Sequence, residues 1–261
     1  MSANVQNSIM LFGDSITQGG WETEMNGFGA KLSHVYARKM DVINRGYSGY
    51  NTEWSIPVFE QCFATREQQK YLPTVRLLVI WFGANDSCLV QSPQHVPLPK
   101  FASNLKHLVN MVQLPKSEYY SPDTRIILVT PPPVNTYERR ANLEARVPPI
   151  LLDRDFEITR LYAETVKDIA REEEVGIVDI WTKLWDAVGH NEQALSKFSD
   201  DGLHLNGAGY QLMYESLLET IDHKFPELHP DRLQMVFPGW ASVDRDNVAA
   251  SVVKRSAEGE K

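Results

Sequence analysis

Ile9-Met10-Leu11-Phe12-Gly13-Asp14-Ser15-Ile16-Thr17-Gln18-Gly19 is the stretch that decides how the chain is read. The apolar run 9–12 has the character of a buried strand, and the switch to polar, glycine-bounded sequence after it marks a strand-to-loop junction. Ser15 therefore stands at a strand's carboxyl end. In an open parallel α/β sheet that edge collects ligands and reacting groups. A hydroxyl there can act as a nucleophile if a base and an oxyanion site reach it. It can equally belong to an ordinary Ser/Asp turn or helix cap, and only the rest of the chain separates the two.

Outward from this stretch, four more segments read as strands. Residues 41–46 form a short one closed by the loop Tyr47-Ser48-Gly49-Tyr50-Asn51-Thr52, whose glycine, like Gly46, lets backbone approach a ligand. Residues 75–82 are almost continuously apolar, as a central strand covered on both faces should be, and they end in Gly83-Ala84-Asn85-Asp86. Residues 125–130 run into Pro131-Pro132-Pro133, and residues 175–180 supply the fifth strand.

Helical patterns alternate with these strands. Residues 28–40 end in the basic pair Arg38-Lys39, which suits a helix terminus meeting its own dipole. A second helix starts with Thr52 as its cap and runs to about residue 69, with Pro57 near its first turn. Apolar positions 101, 105, 108, 109 and 112 make one stripe. A further helix is expected from Asp153 as cap to about residue 173, and a last one from the cap Asn206, with Tyr210, Met213, Tyr214, Leu217 and Ile221 in register.

Residues 134–152 fit neither period, and are expected to be a rim insertion or lid. Residues 226–249 read as an irregular, proline-containing strap held to the body by Phe237 and Trp240, and 250–261 as a flexible charged tail. Five strands alternating with helices imply a three-layer α/β/α sandwich with right-handed crossovers, built as one domain over residues 1–249. The strand order is not readable from this pattern.

The 261-residue chain carries a formal charge of −8 and two cysteines, Cys62 and Cys88. An acidic balance argues against a nucleic-acid partner. Two thiols are too few for a disulfide framework or a zinc cluster. No segment approaches the roughly 18 unbroken apolar residues of a membrane span, and the first residues lack the pattern of a signal peptide. The expectation is a cytoplasmic protein with a small-molecule substrate, no membrane partner, no metal and no cofactor.

Acyl transfer needs a nucleophile, a base, a group that fixes the base's tautomer, and donors for the oxyanion. Ser15 follows strand one, the Gly49 loop strand two, Asn85 strand three, and Asp201 with His204 strand five. All four loops therefore lie on one edge of the sheet. His204 alone is an ordinary loop histidine, but Asp201 three residues earlier can face one ring nitrogen while the other points to Ser15. Asp200 competes for that role. The backbone N–H groups of Ser15 and Gly49 and the Asn85 amide are the candidate oxyanion donors.

Gly13-Asp14-Ser15, Gly49 within Asn44-Arg45-Gly46-Tyr47-Ser48-Gly49, Gly83-Ala84-Asn85-Asp86 and Asp201-Gly202-Leu203-His204 occur in the order of the four blocks of the SGNH (GDSL-type) hydrolases. Each block is weak alone, and the ordered set is specific. The runs Gln94-His95-Val96-Pro97-Leu98 and Thr130-Pro131-Pro132-Pro133-Val134, with Leu205 after His204, resemble the isoamyl acetate-hydrolysing branch of that family.

The resemblance spans about residues 8–240. It implies a flavodoxin-like sheet of order 2-1-3-4-5 and a serine esterase working without metal or organic cofactor. Ser15, His204 and Asp201 would form its triad, and small acetate esters its substrates. It is compatible with a homodimer. The chain has Ile16 where the family name has Leu, a conservative change, and 134–152 is the segment to which the resemblance to the branch extends least. The rival readings are a lysophospholipase or thioesterase for longer acyl chains, an SGNH-shaped binding protein without turnover, a mononucleotide-binding flavodoxin-like domain, and a metallophosphoesterase using Asp14, Asn85, Asp86 and His204.

Overall fold

A computed structural model of the chain describes residues 6–258. Its order is β1 (Ser8–Gly13), α1 (Ser15–Gln18), α2 (Phe28–Val35), β2 (Asp41–Gly46), α3 (Thr52–Cys62), β3 (Val75–Trp81), α4 (Leu98–Gln113), β4 (Arg125–Val129), α5 (Thr136–Glu144), α6 (Phe156–Glu172), β5 (Gly176–Val178), α7 (Ile180–Ala187), α8 (Gly207–Lys224) and α9 (Val248–Ser251). The five strands are all parallel and stand in the order β2-β1-β3-β4-β5, as the family resemblance implied. No helix among the described residues is long and apolar enough to cross a membrane.

The unbroken apolar runs have a direct structural cause. Successive side chains of a strand point to opposite faces, so a strand covered on both sides needs apolar residues at every position. In β1, Ile9 and Leu11 pack with Phe28, Leu32, Leu217 and Ile221 on the α2, α7 and α8 side. Met10 and Phe12 pack with Phe59, Leu105, Val109 and Val166 on the α3, α4 and α6 side. β3 divides in the same way, Leu77, Val79 and Trp81 facing one layer and Leu78 and Ile80 the other.

Several boundaries differ from the sequence reading. α2 stops at Val35 rather than residue 40, because Arg38 takes a left-handed φ of 65°. The Arg38 guanidinium instead donates to the carbonyls of Phe237 and Pro238. α3 is capped by Asn51, whose side chain accepts the Trp54 N–H at 2.9 Å, while Thr52 is its first residue. α3 ends at Cys62, and Pro57 lies inside it.

α6 is capped by Asp155, not Asp153. β5 is three residues long because Asp179 caps α7, which opens at once behind it. The expected lid contains a helix, α5, capped by Asn135 through the Glu138 N–H.

The strap is held by buried Leu228, Leu233 and Val236, while Phe237 and Trp240 are exposed. Residues 255–258, expected to belong to a flexible tail, fold back over it. The Gln234 N–H donates to Ala257 O and the Arg255 N–H to Val236 O, both at 2.8 Å, and Glu258 pairs with Arg76 at 2.7 Å. Residues 259–261 of the expected tail lie outside the described residues.

Candidate active site

Strand register brings three of the four loops together. Gly13 at the end of β1 is level with Gly46 on one neighbour and Trp81 on the other, so the chain leaves all three strands at one height. Asp14 then caps α1, its carboxylate accepting the Ile16 N–H at 2.9 Å, and this places Ser15 at the first helical position. The loop after β2 is tied to that turn. Tyr47 N–H donates to Gly13 O at 2.8 Å, and Ser48 N–H to the Gln18 side chain at 2.9 Å. Gly49, at φ +82°, makes the bend, and Gln94 Nε2 donates to its carbonyl at 2.8 Å.

The fourth loop comes from the far end of the chain. Ser199 and Leu205 bridge antiparallel and Asn206 caps α8, so residues 200–204 form a tight turn. Tyr210 on α8 donates its hydroxyl to Ile16 O at 2.8 Å, docking this unit against α1. His204 Nε2 lies 2.9 Å from Ser15 Oγ, and His204 Nδ1 lies 3.0 Å from Asp201 Oδ2. Asp201 Oδ1 also accepts the backbone N–H groups of Leu203 (3.1 Å) and His204 (2.8 Å). Asp200, the competing carboxylate, joins the turn through its N–H, which donates to His204 O at 3.1 Å.

Asn85 is buried, and its Nδ2 donates to Tyr50 O at 2.8 Å. An amide nitrogen carries two hydrogens, so one donor remains. The Ser15 and Gly49 N–H groups have no partner among the described residues. Ser15, His204, Asp201 and three N–H donors thus lie together at one edge of the sheet.

The family model for GDSL-like lipases and acylhydrolases matches residues 11–212. The chain belongs to this family. It is 33% identical over 246 residues to the human protein called isoamyl acetate-hydrolyzing esterase 1 homolog, covering 93% of this chain and 90% of that one. It is 30% identical over 244 residues to the isoamyl acetate-hydrolyzing esterase of Saccharomyces cerevisiae, covering 90% and 94%. Among solved structures, a lipase/acylhydrolase from Enterococcus faecalis shares the fold at a TM-score of 0.59 and 21% identity, covering 84% of this chain and 97% of that one.

In this acylhydrolase, sequence reasoning missed three charged residues next to the site. Arg139 on α5 is buried and donates from Nη1 to Asp201 Oδ2 at 2.8 Å, and from Nε and Nη2 to the two oxygens of Asp153 at 3.1 and 3.0 Å. Arg154 is also buried and donates to Asp153, to Ala84 O at 2.9 Å and to Asn85 Oδ1 at 2.8 Å.

Gly202 admits α5 to this position. At φ +79° it brings the turn so close that a Cβ would lie 2.4 Å from Asn135 O and 2.5 Å from Arg139 N. The signal that could have found α5 is Asn135-Thr136-Tyr137-Glu138, a cap with Glu at the third helical position.

Burial alone would push the Asp201 carboxyl upward. The two hydrogen bonds from His204 and the charges of His204 and Arg139 outweigh it and hold Asp201 well below the usual carboxylate range. Asp153 is likewise lowered, its burial outweighed by Arg139 and Arg154.

Asp14 and Asp86 behave oppositely. Burial pushes Asp14 up to about 6 and Asp86 up to about 7. Both point into the fold, since Asp86 Oδ1 accepts the N–H (2.9 Å) and hydroxyl (2.5 Å) of Thr52. No group of three or more His, Cys, Asp and Glu side chains among the described residues could hold a metal ion. The residues weighed for a metallophosphoesterase therefore do not converge as ligands.

Proposed function

We propose that this acylhydrolase is a serine esterase of short-chain carboxylic esters, acetate esters foremost, and that it works through an acyl-enzyme. The observation that carries the reading is the 2.9 Å approach of Ser15 Oγ to His204 Nε2, continued through the ring to Asp201 at 3.0 Å. A histidine held on its Nδ1 side by a carboxylate keeps that proton and offers a free Nε2 lone pair to the serine.

Ser15 Oγ attacks the ester carbonyl as His204 Nε2 takes its proton. Charge then develops on the carbonyl oxygen, which the Ser15 and Gly49 N–H groups and the Asn85 amide receive. The tetrahedral adduct collapses with loss of the alkoxide, which His204 protonates, leaving acetyl-Ser15. Water attacks that ester with His204 again as base, and acetate departs as Ser15 regains its proton. Asp201 orients the imidazole and stabilises its charged form without itself taking the proton.

The choice of acetate esters rests on the names of the yeast and human relatives. Residues 1–249 are read as one catalytic domain, and the expected cytoplasmic site and homodimer belong to the same proposal.

The test is hydrolysis of p-nitrophenyl esters of two to twelve carbons by wild type and Ser15→Ala. Wild type should prefer acetate, and Ser15→Ala should lose on the order of 10⁴–10⁶ in kcat. Turnover retained by Ser15→Ala would overturn the assignment. A maximum at long chains would move the substrate class to lysophospholipids or acyl thioesters.

A further inference from the structure

The Asn85 amide has two ends that differ only in hydrogen-bonding sense, and a substrate oxyanion needs the NH₂ end. A guanidinium carries donors alone. With Arg154 Nη2 2.8 Å from Asn85 Oδ1, the carbonyl end of the amide must face Arg154, and Nδ2 is directed to the other side. There Tyr50 O takes one of its hydrogens at 2.8 Å, so the direction of the remaining N–H is set before any substrate arrives. Such preorganisation is what makes an oxyanion donor effective. Donation from a cation to Oδ1 also polarises the amide and strengthens the N–H as a donor.

Arg154 is itself held from two sides. Its Nε donates to Ala84 O, the residue before Asn85, at 2.9 Å, and its Nη1 donates to Asp153. Asp153 is in turn gripped at both oxygens by Arg139, whose third contact is Asp201 Oδ2. Two arginines and two carboxylates, alternating in sign, therefore run between the oxyanion donor and the carboxylate behind His204. Arg154 is 2% exposed and Arg139 5%. Buried ion pairs of this kind are poor stabilisers compared with apolar side chains of similar volume. Their place at the site therefore calls for a role beyond anchoring a loop.

We propose that Arg154 is a positioning residue that aims the Asn85 amide at the oxyanion, with Asp153 and Arg139 tying that position to the Asp201 carboxylate. This rests on the oxyanion role given to Asn85 above. Because Arg154 acts through Asn85, its removal cannot lower turnover by more than removal of Asn85 itself.

A double-mutant cycle on the full chain tests it, using p-nitrophenyl acetate and the variants Asn85→Ala, Arg154→Met and the pair, with folding followed by circular dichroism. Arg154→Lys, alone and with Asn85→Ala, gives a second cycle that keeps a buried cation if Arg154→Met does not fold. The expected result is a loss in kcat of about 10–100-fold for Arg154→Met, bounded by the 10²–10³ of an oxyanion donor. KM should stay near wild type, Arg154→Lys should retain part of the rate, and neither substitution should lower kcat further once Asn85 is alanine.

Losses at Arg154 that multiply with that of Asn85→Ala in both cycles would overturn the proposal, as would an effect confined to KM. If Asn85→Ala alone left kcat unchanged, the oxyanion assignment would be what failed, and this inference would fall with it.

Discussion

Asp201 holds His204 twice, its Oδ2 facing the ring Nδ1 at 3.0 Å and its Oδ1 accepting the backbone N–H of the same residue at 2.8 Å. One carboxylate thus fixes both the imidazole and the peptide that carries it. Replacing the acid by its amide leaves the shape and removes the charge that selects the ring tautomer. Asp201→Asn should lower kcat by about 10⁴, as in other serine hydrolases where the acid is so changed. Asp200→Asn should keep nearly wild-type turnover, since Asp200 meets His204 only through its backbone. Steady-state kinetics on the two variants discriminate directly, and a larger loss at Asp200 would reverse the assignment.

Gly202→Ala should damage stability and turnover together. The added Cβ meets backbone atoms of Asn135 and Arg139, which cannot move without shifting α5, and the φ of +79° is unfavourable as well. Gly189→Ala is the matched control, because Gly189 has φ +60° and nothing within 4 Å. The control should show only the 1–2 kcal/mol or so of left-handed strain, and Gly202→Ala distinctly more, both read from thermal denaturation. Equal losses would mean that the close approach to α5 contributes nothing.

Gln94 supports the Gly49 peptide, the other wall of the proposed oxyanion site. Its Nε2 donates to Gly49 O at 2.8 Å, and its backbone carbonyl accepts from Asn51 Nδ2 at 2.9 Å. Gln94→Ala should loosen the Gly49 peptide and lower kcat by roughly 10-fold, a fraction of the effect of a lost donor. Gln94→Glu should be worse at neutral pH, because it sets a carboxylate against a carbonyl. A Gln94→Glu enzyme as active as wild type would show that the Gly49 peptide needs no such support.

Stability should be greatest on the acid side of neutrality. Asp14 and Asp86 have folded pKa values of about 6 and about 7, raised above the ordinary 3.8, so the folded state holds protons that the unfolded chain has released. Their contribution is complete below about pH 4 and is lost as pH rises through about 6 to 7.

Asp201 and Asp153 are lowered, so their contribution is present above that ordinary value and lost as pH falls below it. The melting temperature should therefore peak at about pH 4 and decline on both sides. Asp86→Asn should flatten the decline towards pH 8 and leave the acid limb intact. An unchanged alkaline decline in that variant would remove Asp86 as its source.

The layers and the site loops were legible because local signals carry them. β1 and β3 declare themselves as unbroken apolar runs, and Ser15 and Asn85 each follow a strand, whereas α7 separates the Asp201–His204 pair from β5 and the pair stands just ahead of the α8 cap. Caps were legible only to within a few residues. Asn51 and Thr52 are both competent, as are Asp153 and Asp155, and the choice depends on which side chain turns back to the helix.

Arg139, Asp153 and Arg154 left no trace of that kind. Arg139 meets Asp201 62 residues away and Arg154 meets Asn85 across 69, and a contact across such a span imposes no period on the sequence. α5 was obscured for a related reason, since it buries little beyond Leu143 and Arg139 and so shows no apolar stripe. The strap's aromatic residues Phe237 and Trp240 are exposed, and the smaller aliphatic Leu228, Leu233 and Val236 hold it.

The rim segment is fastened at both ends and exposed between them. Arg139 pins one end to Asp201, Asp153 and Arg154 pin the other, and Val147 and Leu151 between them are almost wholly exposed. Lengthening a surface loop raises its closure entropy only slowly. Residues 146–151 are therefore a natural insertion point, where added length should leave Arg139, Asp153 and Arg154 in their places.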